Sequence, residues 1–139
     1  MIDSTESLVI RMSAGLALFL AVAPGCQSRP AGMPELAPVS GVVTLDGEPL
    51  PNVLVVLRSE QGAVSMSTTD TTGHYSAKYL SRFPGAGLGP TTVEITGLPK
   101  ADDDPTPSVI IPRRYNSASE LTIDVTSGAN VFDLELQSK

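Results

Sequence analysis

The chain reads as all-β: a seven-stranded antiparallel β-sandwich of Greek-key type, behind an N-terminal targeting segment. Three observations predict it. Apolar and polar residues alternate with a period of two in run after run, as half-buried strands require. Twelve Pro and twelve Gly punctuate those runs, marking turns at the close spacing of sheets rather than of helical bundles. Three Phe, three Tyr and no Trp leave the core to Val, Leu and Ile. One face in and one face out on nearly every strand implies two sheets packed over a single core.

Residues 39–57, VSGVVTLDGEPLPNVLVVL, carry the first two strands. Val39, Gly41, Val43 and Leu45 share one face, with Ser40 and Thr44 on the other. Asp46-Gly47 joins a residue that tolerates the left-handed region to one without a Cβ, the strongest short hairpin signal. Pro49 and Pro51 have no N–H to donate, so residues 48–52 are expected as an extended corner outside any central ladder. Residues 53–57 are apolar on both faces and hold three valines, which suits a strand well inside a sheet. A short buried helix is the alternative there, disfavoured by the length, the preceding Pro51 and the valines.

The remaining strands follow in order. In residues 63–68, Val64 and Met66 fall on the apolar face and Ser65 and Ser67 on the polar one. Asp70-Thr71-Thr72-Gly73 is a turn, with Gly73 expected at positive φ. Residues 74–79 alternate again, with Tyr75, Ala77 and Tyr79 inward. Residues 81–90 (SRFPGAGLGP) read as a Gly-Pro loop, and residues 91–96 as a strand with Val93 and Ile95 inward. Residues 97–108 (GLPKADDDPTPS) read as a long acidic loop, and residues 109–119 as a crossover. Leu121, Ile123 and Val125 make the sixth strand; Phe132, Leu134 and Leu136 make the last, after a turn at Ser127-Gly128.

The totals narrow the function classes. Fifteen acidic against nine basic residues give a net charge of −6. That balance argues against nucleic acid as a partner, because such affinity comes from Lys and Arg neutralising phosphates. A single cysteine, Cys26, rules out an internal disulfide and any multi-cysteine metal site. Residues 12–23 (MSAGLALFLAVA) form an apolar run too short for a bilayer span of roughly 20 residues but suited to a signal-peptide core. Residues 1–25 are therefore expected to be a signal peptide, residues 26–37 a Pro-rich tether and residues 38–139 one domain.

Two resemblances follow from quoted residues. Ala23-Pro24-Gly25-Cys26 resembles the lipobox of bacterial lipoproteins, in which the cysteine is lipidated and becomes the mature N-terminus. Gly25 and Cys26 match that pattern, while Ala23 stands where Leu is usual and Asp3 and Glu6 depart from a basic n-region. The resemblance implies an extracytoplasmic protein anchored to a membrane through Cys26. Gln27 after the cysteine favours the outer membrane. A non-lipidated signal peptide and a secreted protein are the alternative. Residues 39–57, together with Thr69-Asp70 and Gly73-His74-Tyr75, are similar to the carboxypeptidase regulatory-like, or transthyretin-like, β-sandwich. The tail, in which Ile111-Pro112-Arg113-Arg114-Tyr115 precedes Leu121-Thr122-Ile123-Asp124-Val125 and Asn130-Val131-Phe132-Asp133-Leu134, is similar to that of small bacterial lipoproteins built on the same module. This likeness implies a fold far more specifically than a function, because the module occurs in peptidases, receptors and free lipoproteins alike.

Residues that could carry chemistry are few. The transthyretin-like hydrolases of purine breakdown need histidines near the start and a Tyr-Arg-Gly-Ser tail, and this chain ends Glu135-Leu136-Gln137-Ser138-Lys139. Intradiol dioxygenases hold iron with two Tyr and two His, and His74 is the only histidine here. A serine nucleophile needs a base and an orienter within reach; His74 reads instead as a solvated strand residue. Asp102-Asp103-Asp104 offers oxygen ligands for Ca²⁺, but three consecutive carboxylates do not all face one ion, so a solvated loop is the expectation. Arg113, Arg114 and Tyr115 form the candidate ligand-binding set, able to meet an anion or stack on a sugar. The alternative has Tyr115 in the core and both arginines in water. No catalytic residue, metal ligand or cofactor is expected. The leading reading is a non-catalytic, lipid-anchored cell-envelope module that is structural or binds an envelope protein or glycan. A carbohydrate-binding accessory domain, using Tyr79, Phe83 and Tyr115, is the second; a hydrolase is the third.

Overall fold

The computed structural model describes residues 31–139. β1 (Leu36–Ala37) leads into β2 (Val39–Leu45), which turns at Asp46-Gly47 into β3 (Glu48–Pro49). β4 (Val53–Ser59) and β5 (Val64–Thr68) form a hairpin. β6 (His74–Ser76) and β7 (Lys78–Tyr79) are separated only by Ala77, and β8 (Phe83–Pro84) and β9 (Ala86–Gly87) follow. Next come β10 (Gly89–Gly97), β11 (Pro99–Ala101) and β12 (Asp104–Pro107). One 3₁₀ turn (Arg113–Tyr115) precedes β13 (Thr122–Val125), β14 (Asn130–Val131) and β15 (Leu134–Leu136). The fold is all-β.

Two larger sheets hold most strands. The first runs β13-β10-β4-β5-β7-β8, antiparallel throughout. In the second, β2 pairs antiparallel with β3 and β6 on one side and parallel with β14 and β15 on the other. The pair β4–β10 is the longest register, from Thr91 opposite Ser59 to Gly97 opposite Val53. Its centre explains the apolar run at residues 53–57: β4 has a strand on each side, and Val53, Val55, Val56 and Leu57 are all buried. Val39 and Val43 of β2, Val93 and Ile95 of β10, Val125, Leu134 and Leu136 join Val55 and Leu57 in one apolar cluster. At ~25 cal/mol per Å² of apolar surface, this shared burial is the main stabilising term, with no disulfide behind it.

The turn chemistry is as the sequence predicts. Asp46 and Gly47 both take positive φ (52° and 85°), which matches the right-handed twist of the flanking strands. Gly73 sits at φ 79°. Asp70 closes its own turn: Oδ1 accepts from the Thr72 N–H at 2.8 Å, the Thr72 hydroxyl at 2.6 Å and the His74 N–H at 3.0 Å. Those donors hold its carboxyl below its ordinary pKa, the Thr72 hydroxyl contributing most.

Six expectations need correction, the first being antiparallel pairing throughout: β14 and β15 run parallel to β2. Ser65, expected on the polar face, is fully buried, whereas Met66 is exposed. Register decides this: Ser65 lies opposite Leu57 and Met66 opposite Val56, and antiparallel partners share a face. Because Leu57 points into the core, Ser65 must follow. The supposed loop at residues 81–90 contains β8, β9 and the start of β10. The supposed acidic loop at residues 97–108 is the β11–β12 hairpin. Leu36 and Ala37, expected in the tether, pair with Gly87 and Ala86, and Ala37 is buried. Asn52 turns its corner at φ 55°, not as extended chain.

A single continuous run, residues 74–79, serves both sheets. β6 pairs with β2 and β7 with β5. Between them the Ala77 N–H donates to Val39 O at 2.9 Å and its carbonyl accepts from Gly85 N–H at 2.8 Å. Tyr75, next to this transition, crosses over Gly41 and donates from its hydroxyl to Phe132 O at 2.7 Å. A Cβ on Gly41 would lie 2.0 Å from Phe132 O and 3.2 Å from the Tyr75 ring. Glycine is the residue that lets three strands meet there. The break between β14 and β15 is bridged by a side chain: Asp133 Oδ1 accepts the Val42 N–H at 3.1 Å.

Candidate functional site

The candidate set Arg113, Arg114 and Tyr115 occupies the 3₁₀ turn, which Pro112 enters with its φ at −55° and which closes through Tyr115 N–H to Pro112 O at 2.9 Å. The turn brings Arg114 over the Tyr115 ring, 4.9 Å from its centroid. Arg114 Nη2 then donates to the carbonyls of Gln137 and Lys139, and the Tyr115 hydroxyl accepts the Gln137 N–H at 3.2 Å. Arg114 and the Gln137 N–H hold the Tyr115 phenol below its ordinary pKa. Arg113 is exposed. Tyr115 is half-buried and packs against the core cluster, and Arg114 is engaged rather than left in water.

On the other side of the same chain segment stands the β2–β3 turn. Asp46 accepts the Ser138 N–H at 3.0 Å and the Ser138 hydroxyl at 2.6 Å, which lowers its pKa through the hydroxyl first and the amide second. Residues 135–139, Thr44, Asp46 and Gly47 line an open depression here. Its chemistry is mixed, Asp46 and Glu135 against Lys139, and Arg114 binds the carbonyls of Gln137 and Lys139. An incoming anion would have to displace Arg114 from two backbone carbonyls. The set therefore works first as a clamp on residues 137–139.

The other candidates are dispersed. The His74 side chain is exposed, and the residue contributes its backbone N–H to the Asp70 turn. Asp102 and Asp103 form the exposed tip of the β11–β12 hairpin. Asp104 Oδ1 accepts the Thr106 N–H at 2.9 Å. Among the described residues no three His, Cys, Asp or Glu side chains are grouped as metal ligands would be. Cys26 lies outside the described residues. Tyr79 and Phe83 are cross-strand partners flanking one hairpin, with Tyr115 on a different element.

Sequence reasoning missed that hairpin. Its signal was present: at Tyr79-Leu80 two large apolar residues follow each other and break the alternation of residues 74–79. The structure puts Leu80 at the tip, 65% exposed. No protein-family model matches the chain, and no curated protein matches it.

Proposed function

We propose that the protein is a non-catalytic, lipid-anchored module of a bacterial cell envelope, with a structural or partner-binding role played by a seven-stranded, Greek-key, transthyretin-like sandwich. The observation that carries this reading is what the polar side chains do. Asp70 holds its own turn, Asp133 bridges a strand break, Asp46 and Arg114 fasten residues 137–139, and Thr69 donates to Leu50 O at 2.8 Å while accepting from Val53 N–H at 3.0 Å. These side chains are engaged in scaffolding, and scaffolding is what an anchored β-module requires.

Lipidation of Cys26 would place acyl chains in one leaflet, and more than one such chain gives stable anchoring at about 0.8 kcal/mol per buried CH₂. Fractionation of the wild type against Cys26→Ser, with mass spectrometry of the mature N-terminus, tests it. The wild type should carry an acylated Cys26 and follow the outer membrane, and the variant should leave the detergent phase while keeping its fold. An unmodified N-terminus, or one upstream of Cys26, would overturn the anchor. A glycan array then separates a glycan-binding role from a protein-binding one.

A further inference from the structure

The loop joining β7 to β8 has a composition that its backbone does not require. Leu80 and Ser81 stand at φ 50° and 56°, in the left-handed region where Gly and Asn are the low-cost residues and leucine is not. Leu80 is nevertheless 65% exposed. It is thus unfavourable for the turn and adds nothing to the core. Tyr79 and Phe83 flank it, Lys78 is exposed beside Tyr79, and Arg82 lies 5.4 Å from the centroid of the Phe83 ring. A shallow apolar-edged depression lined by Leu54, Met66, Ser67, Thr68, Lys78 and Ser81 continues from the tip along the outer face of the sheet. No Asp or Glu occurs between Asp70 and Glu94, in a chain whose net charge is −6.

We propose that this hairpin tip is a membrane-contact element, inserting Leu80 into an anionic lipid surface. Lys78 and Arg82 meet the phosphate headgroups, Tyr79 lies at the boundary, where a ring with an apolar body and a polar hydroxyl is favoured, and the Phe83 ring adds to the apolar face. Charge complementarity selects the occupant: the acidic body is repelled by an anionic surface, and the acid-free tip is the segment of the sheet that can approach it. Area argues the same way. One exposed leucine between two half-buried rings falls far short of the roughly 800 Å² per partner that a stable protein interface takes. A lipid interface has no such threshold, since each buried apolar group contributes separately. The inference does not rest on acylation of Cys26.

The test uses the full chain carrying Cys26→Ser, with an environment-sensitive fluorophore on Ser81→Cys. The control site is Thr122→Cys, exposed on β13, at the opposite edge of the same sheet and roughly 20 Å away at ~4.8 Å per strand. With phosphatidylglycerol-rich vesicles the label at residue 81 should shift to the blue and be quenched by brominated acyl chains. The label at residue 122 should not respond, and pure phosphatidylcholine vesicles should leave both unchanged. Leu80→Asn should weaken the residue-81 response about tenfold or more, while leaving the melting temperature equal or higher, because Asn fits the left-handed turn. The double variant Lys78→Gln, Arg82→Gln should remove the salt dependence. Equal responses at residues 81 and 122, or none at either, would overturn the proposal. So would a residue-81 shift without vesicles that grows with protein concentration, which would show a second copy covering the tip.

Discussion

At Gly73 the backbone stands at φ 79°, and a Cβ there would come within 2.6 Å of Val43 O. Gly73→Val therefore combines conformational strain with a collision against β2, and a loss of at least about 1–3 kcal/mol is expected in a denaturant titration. Asp70, three residues earlier, makes a pH prediction. Its folded pKa is lowered from 3.8, so its contribution is fully present above the unfolded value and disappears as pH falls through the folded one. Asp70→Asn should be less stable than the wild type at neutral pH. The gap should close below pH 3.8, in acid titrations of the two proteins side by side. Tyr75 behaves in the opposite sense. Burial raises its phenol above the ordinary value, and Tyr75→Phe leaves Phe132 O without its donor, at a cost of about 1 kcal/mol. Among the described residues Ser65 is the exception among buried polar side chains, because its hydroxyl has no partner. Ser65→Ala should be neutral or stabilising, since it removes an unpaired polar atom and little volume.

At the scale of elements, the central strands carry the energy. Val55 of β4, Val93 of β10 and Leu134 of β15 are at most 4% exposed, and each change to Ala should cost about 2–4 kcal/mol as a cavity in one shared core. Ile123 lies on the edge strand β13 and is half-buried, so Ile123→Ala should cost clearly less. Equal losses at Ile123 and Val93 would mean that β13 is covered in solution. The Arg58–Glu94 ion pair, 3.1 Å apart on the outer face of β4 and β10, joins an exposed Arg58 to a half-buried but solvent-accessible Glu94 and is expected to add less than about 1 kcal/mol.

At the scale of the molecule, residues 32–139 form one compact unit, and variants in different sheets should shift a single transition. Val43→Ala on β2 and Val93→Ala on β10 should each lower the same melting midpoint, seen identically by circular dichroism and by tyrosine fluorescence. Separate midpoints would show two cores. The sequence by itself determined the all-β class, the Asp46-Gly47 and Gly73 turns, the central position of residues 53–57 and the inward faces of β2, β10 and β15. These follow from local chemistry: positive φ favours Gly, Asn and Asp, and a strand's side chains alternate whatever its neighbours are. Only the tertiary structure decided that Ser65 faces in, since the β4–β5 register outranks the hydrophobicity of Met66. Only it showed that β14 and β15 run parallel to β2, that Gly41 is a crossing point for Tyr75, and that Arg114 clamps residues 137–139. Each of those depends on a partner more than twenty residues away or on a register between strands, and alternation within one strand carries no information about which strand lies beside it.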